Sequence, residues 1–408
     1  MNAIRPQRGV GTLGVTLLLM SFLSLALLYA HRGLLFEQRS AANQQRAAVA
    51  FEATQAGLEW ATAMLNDPRT LDDNCGLLPG GASFRDRYLG FEGGAASPAL
   101  VPGPACRLDG AACACRCMPG AGVSMPEAEE GPRFRVGFAA MAAVPAAVRV
   151  AAQGCSGPGQ PCDDDAAALP SDATAAASVV LKHKPGLLSP PTAAITAGGS
   201  VQLGGMMSLV NRDARRGGRL VAAGGLITVG GDATLDGPPG TPVVTLLASN
   251  EPTLSGRTSD EMFAALFGAT VEGYSQWPTV RRISGASARD RGAALLAAAE
   301  QGYGAFHVDG DLLFDASTIG TPDRPVLVVS SHAVACSVAC RLHGLVVGDL
   351  AARPASDLQR MTVHGAVVTR GHHVQAGDGG VVYDGDTLER LSRRTGAWVL
   401  MSGGWKDF

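Results

Sequence analysis

Residues 10–30, VGTLGVTLLLMSFLSLALLYA, constrain this chain more than any other stretch. No charged side chain occurs from Gly9 to Ala30, and at about 1.5 Å of rise per residue such a helix crosses a hydrocarbon core of about 30 Å. Arg5 and Arg8 precede the run. Positive charge next to a span holds the short leader in the cytoplasm and sends everything after His31 across the membrane. Three readings compete. A cleavable secretory signal has an apolar run of about 7–15 residues ending in a small-x-small site, whereas this run is longer and flows into helix-forming sequence. A plain single-span anchor is the second. The third is a signal cut on its cytoplasmic side, which leaves the apolar run on the mature chain, and the sequence that follows favours it.

The helical pattern continues through residues 34–65. Ala47, Phe51, Leu58, Ala61 and Leu65 recur at helical spacing, while Gln45, Arg46, Glu52 and Glu59 take other faces. Asn66-Asp67-Pro68 ends it, because proline disfavours a helical residue before it and donates no hydrogen bond. A basic leader ending in Arg8-Gly9, the apolar run, EQRSAAN at 37–43 and AFEATQAGL at 50–58 follow one another. In these words the first 65 or so residues resemble the N-terminal region of PilX-type minor pilins of bacterial type IV pili.

The resemblance implies a prepilin-type leader at 1–9 and a transmembrane and amphipathic helix at 10–68. It implies cleavage after Gly9 by prepilin peptidase, with Val10 as the new, N-methylated terminus. Major pilins carry a glutamate at the fifth mature position, where this chain has Gly14. At that depth a glutamate pairs with a neighbour's terminal amine, since an unpaired charge there is costly. Gly14 cannot form that pair, which disfavours the chain as a repeating shaft subunit and suits it to the tip. A cut after Gly11 puts Thr16 at the fifth position, with the same consequence. The implied partners are other minor and major pilins, prepilin peptidase, the inner-membrane assembly platform and a tip adhesin. The implied location is the bacterial inner membrane, as a single-pass protein with a cytoplasmic N-terminus, and then the pilus on the cell surface.

Composition bounds the remainder. A chain of 408 residues, 46% of them hydrophobic, supports packed cores and more than one domain. Its net charge of −3 carries no basic cluster for a nucleic-acid partner. Nine cysteines in an exported chain point to disulfides, and the odd number leaves at least one thiol over. Cys75, Cys106, Cys113, Cys115 and Cys117 lie in a Gly- and Pro-rich stretch at 70–130 that reads as irregular, cross-linked loops. The C-x-C-x-C run at 113–117 lacks the C-x₂₋₄-C pairs of a structural zinc site. Cys155 and Cys162 flank SGPGQP and close a small loop if bonded. Cys336 and Cys340 in one straight strand would have their Cα atoms about 13 Å apart, so a bond between them requires a tight turn.

The fold class expected is α+β: the long helix with a small antiparallel sheet, then a glycine-rich all-β domain, solenoid-like or a sandwich. Segments 134–141, 147–154 and 177–184 read as strands of the small sheet, within a module of cysteine-containing loops and sheet at 69–188. From 189 to 408 short alternating runs are punctuated by Gly-Gly, Gly-Asp and Asp-Gly, as in VAAGGLITVGGDATLDG and FHVDGDLLFD. Such rungs cannot bury their inner faces singly and must stack. Residues 261–302 read as a helical insertion. The end, with a helix at 387–394 and Trp398 and Trp405 beyond it, reads as a cap over the last sheet edge.

Catalysis has little to work with. Asp309, Asp311 and Asp315 are the best carboxylate group, but Asp309-Gly310-Asp311 has the form of a turn, which favours solvated turn acids over a calcium site or an acid–base pair. His372-His373 reads as surface loop. No nucleophile elbow and no phosphate-cradling glycine loop occurs. The reading is therefore a non-enzymatic chain with no metal and no cofactor. The alternatives are a minor pseudopilin of a type II secretion system and a membrane-tethered β-helix enzyme acting on glycans.

Overall fold

A computed structural model describes residues 10–89, 101–110, 112–118, 131–158, 162, 173–348, 361–375 and 377–406. Its first element is a 57-residue helix, Val10–Asn66, ending where Pro68 requires. Two faces of unlike length follow from its sequence. Leu13, Leu17, Met20, Phe22 and Leu27 are exposed, whereas Ala50, Ala53, Leu58, Ala61 and Leu65, at helical spacing, are buried against a sheet.

That sheet is antiparallel and six-stranded. In spatial order it runs Ala397–Leu400, Thr174–Lys184, Ala147–Cys155, Arg133–Ala140, Val101–Asp109 and Ala112–Arg116. The helix lies close on it because Gly154 has no side chain: a Cβ there would come within 2.3 Å of Ala50 O. The single hydroxyl proton of Thr54 is shared between Ala50 O at 2.9 Å and Ala175 O at 3.1 Å, tying the helix to the sheet at the same level. Trp60, Phe84, Tyr88, Phe134 and Phe138 fill the space above, with Trp60 edge-on to Phe84 at 5.5 Å between ring centres.

Two expectations for this module are corrected. The stretch at 70–130 is not simply irregular, because Val101–Asp109 and Ala112–Arg116 pair as a hairpin joined by a Cys106–Cys115 disulfide between opposite residues. Its Pro, Gly and Cys content hides the alternation of a strand. Of the expected C-terminal cap, the helix packs on the rungs but the last strand does not. Strand Ala397–Leu400 joins the antiparallel sheet beside Thr174–Lys184, so the segment 189–408 does not form one unit.

Between those two adjacent strands lies the rung region. Every strand pair described between residues 195 and 383 is parallel. One ladder passes from Val280–Ile283 through Ala305–Val308, Val326–Ser330 and Cys340–Gly348 to Met361–Thr369. The next rung is the earliest in sequence: Met361–Thr369 pairs with Ile195–Ala197, which pairs with Val221–Ala223. The chain thus enters its ladder in the middle, builds outward to Leu247–Ala248, crosses to the far end and winds back. First and last rungs meet, so entry and exit lie together and the terminal strand can return to the sheet.

The interior of these rungs is apolar, with Ile195, Leu209, Phe306, Leu345 and Val367 among its buried side chains. Gly344 and Gly365, opposite each other, bend two long strands at φ of 142° and 144°; a Cβ on either would lie 1.8 Å from the preceding rung's carbonyl. The expected helical insertion contains helices Ser259–Phe267, Val271–Ser275 and Ala288–Glu300, but its strand Val280–Ile283 belongs to the ladder. Thr258 and Ser287 begin the first and last of these helices with capping boxes. Helix Gly385–Arg394 buries Leu388 and Leu391 against the rungs.

Candidate functional site: the long helix and its flank

Residues 11–29 form the one described helix segment long and apolar enough to cross a membrane, and their side chains touch nothing else in the chain that would bury them. The polar Thr16 returns its hydroxyl to Leu13 O at 2.9 Å, so it adds no unsatisfied donor to the apolar surface. Gly14 lies in open space, with nothing within 4 Å of where its Cβ would be. Val10 is the first helical residue. The expected cleavage residue Gly9 lies outside the described residues.

The cysteines sort into four disulfides: Cys75–Cys117, Cys106–Cys115, Cys155–Cys162 and Cys336–Cys340. Cys113 is left free and exposed, and burial of its surroundings raises its thiol pKa. Cys336 and Cys340 reach each other across a turn, with Cα atoms 6.3 Å apart, because Cys336 ends one strand and Cys340 begins the next.

The structure uses each of the three aspartates to hold a corner. Asp309 Oδ1 accepts from Ser331 Oγ, Asp311 Oδ1 from the Ala333 amide, and Asp315 from Ser337 Oγ and Arg289. Among the described residues no group of three or more His, Cys, Asp or Glu side chains is placed to hold a metal ion. The two neighbouring histidines part company. His372 is exposed and accepts from the Ser200 amide, but His373 is fully buried in strand His373–Gln375, which corrects the surface-loop expectation. Alternation in that strand turns His373 and Gln375 inward together, and burial pushes the His373 pKa down to about 4.

Residues 11–59 match the family model described as PilX N-terminal. The chain carries a PilX-type N-terminal segment. A search of curated proteins finds no match. Among solved structures, competence-associated pilin ComZ from Thermus thermophilus aligns over 89% of this chain and 97% of its own at 12% identity, with a TM-score of 0.23, too low to carry an argument.

The PilX-type segment covers the exposed apolar half of the helix and most of the half docked on the sheet. Just beyond it, the end of the helix makes a contact that no local pattern signals. Asn66 Nδ2 donates to Trp398 O at 3.0 Å and Trp398 N donates to Asn66 Oδ1 at 2.8 Å, so a helix residue pairs with the terminal strand. Beside it runs a cleft of about 710 Å³. The helix contributes Leu58, Glu59 and Thr62, the sheet Leu181 and Leu400, and the rung region Tyr303.

Arg85 locks the opposite side of this junction. Its buried guanidinium, brought down to about 10 mainly by burial, donates to Arg394 O and Gly396 O at the end of helix Gly385–Arg394. The terminal strand is therefore held to the helix by Asn66 and to the short helix Phe84–Leu89 by Arg85.

Proposed function

We propose that this chain is a minor pilin of a bacterial type IV pilus, incorporated at or near the filament tip. The observation that carries the reading is the match of 11–59 to the PilX N-terminal model on a helix whose apolar half is exposed and whose other half is docked on an antiparallel sheet. In this reading residues 1–9 are a prepilin-type leader removed between Gly9 and Val10, and Val10 is then N-methylated. Residues 10–30 hold the subunit in the inner membrane, and the assembly platform moves it into the filament. Gly14 supports the tip position, since without a carboxylate at the fifth mature residue the subunit offers no partner to the terminal amine of the next.

The architecture follows as two modules. Helix and antiparallel sheet form the pilin module, closed by the terminal strand. The rungs between Thr174–Lys184 and Ala397–Leu400 form an inserted β-solenoid, whose first and last coils meet so that its ends leave side by side. Parallel pairing supports a solenoid over a sandwich. This solenoid presents a surface to partner pilins, an adhesin or an external target, and the protein acts by assembly without catalysis.

The test is recovery in sheared pili. The account expects the chain in the sheared fraction only when prepilin peptidase and the assembly platform are present. Equal recovery without either contradicts it.

A further inference from the structure

His343 and His364 are far apart in sequence but meet on consecutive rungs. Strands Cys340–Gly348 and Met361–Thr369 pair in parallel with His343 directly opposite His364. One position earlier, Leu342 and Val363 are fully buried in the rung core, so alternation turns both imidazoles to the outer face. One position later, Gly344 and Gly365 bend the two strands together. The rings therefore leave the ladder side by side, half-buried, with centres 5.0 Å apart and planes inclined at 33°.

That spacing fits a chelate. A divalent ion bonded to one nitrogen of each ring at about 2.0–2.1 Å lies about 3.2 Å from each ring centre, and tetrahedral to square geometries then set the centres about 4.5–5.2 Å apart. The nitrogens are available. Among the described residues neither ring has a hydrogen-bond partner, whereas His332 is held by Ser331, His372 by Ser200 and His373 by Gln375. Beyond His343 the adjoining rung brings Gly320, without a side chain, against His343 O, and beyond His364 stands Val382. Burial, with Arg341 nearby, lowers the pKa of both histidines, so the imidazoles are neutral at neutral pH, the form that ligates. The carboxylate of Asp384 acts on both rings against Arg341 and favours a cation there.

We propose that His343 and His364 form a two-histidine site for a divalent transition ion of the Cu(II) and Zn(II) class, with water in the remaining positions. The site does not depend on the pilin reading. Among the described residues no third His, Cys, Asp or Glu joins the pair, so the coordination sphere stays open to solvent and the ion is exchangeable. Imidazole ligands select these ions over Mg(II) and Ca(II), which take oxygen. A bound ion pins two consecutive rungs to each other. The sequence hides the site because its ligands are spaced by a turn of the rungs and not by a local motif.

The experiment uses the untagged full chain in detergent, with Cys113→Ser to remove the free thiol as a competing ligand. It is titrated calorimetrically with copper(II), zinc(II) and magnesium chlorides, and the copper form is read by electron paramagnetic resonance. The expected result is binding of copper and zinc but not magnesium, with a copper signal split by two imidazole nitrogens. His343→Ala and His364→Ala each weaken binding about tenfold or more, the double exchange does little further, and His372→Ala changes nothing. Urea midpoints without metal show which variants fold. The nitrogen count is taken on the chain with both histidines intact, so it stands even if a variant fails to fold. A signal from fewer than two nitrogens, undiminished binding in the folded single variants, or loss of binding in His372→Ala overturns the proposal.

Discussion

The carboxamide of Asn66 and the backbone of Trp398 bond in both directions, across 332 positions of sequence. The last residue of the helix thus occupies the edge of the terminal strand in place of another strand, and the rungs between them are fastened at both ends to one sheet. Asn66→Ala removes both bonds. At about 1 kcal/mol per bond, we expect a loss of about 2 kcal/mol, read by urea unfolding of the detergent-solubilised chain. A loss under about 0.5 kcal/mol would show that the pairing does not hold the strand.

Helix and sheet touch through Gly154. Gly154→Ala drives a methyl group to 2.3 Å from Ala50 O and 2.5 Å from Thr54 N, so one of the two elements must move. A cost of about 3 kcal/mol is expected. Gly157→Ala, where the added Cβ meets nothing within 4 Å, serves as the control and should leave the midpoint nearly unchanged.

Buried His373 makes the rung region acid-sensitive. Its pKa is about 4, against 6.5 for the free side chain, because burial disfavours the charged ring more than the Gln375 hydrogen bond favours it. Between these values the unfolded chain binds more protons than the folded one, so stability is full above pH 6.5 and falls as the pH drops towards 4. The upper bound is about 3 kcal/mol. His183, also brought to about 4 by burial, adds to the slope. Replacing His373 with Asn should flatten the decline measured by urea unfolding at pH 7 and pH 5; an unchanged slope would assign the sensitivity elsewhere.

Cys113 is the one described cysteine outside a disulfide. Maleimide applied to the folded, unreduced chain should add one label, and Cys113→Ser should abolish it. The raised thiol pKa makes the reaction slower than that of a free thiol at neutral pH. Two or more labels would mean that a disulfide described here is open.

The helix was legible because its signals are local: an uncharged run, a 3.6-residue repeat and a proline at 68. The strands Arg133–Ala140, Ala147–Cys155 and Thr174–Lys184 lie within a few residues of their sequence-based expectations. Helix 387–394 was likewise close to the observed Gly385–Arg394. What escaped was non-local. Nothing near Trp398 reveals that its strand pairs with His183, and nothing near Val367 reveals that its neighbour is Ile195. His373 escaped for a local reason: two adjacent histidines look polar, yet His372 stops short of the strand and is exposed, while His373 opens it on the buried face. Asn66 read as a helix terminator and no more, since a cap partner so distant in sequence leaves no pattern.

The central claim is that the helix enters a filament by pilin-type processing. The most direct test is the N-terminal mass of the membrane-extracted chain, with and without prepilin peptidase. The account predicts a mature chain beginning at Val10, N-methylated, that appears only when the peptidase is present. A chain retaining Met1 in both strains, or one cut near Ala30, would contradict it.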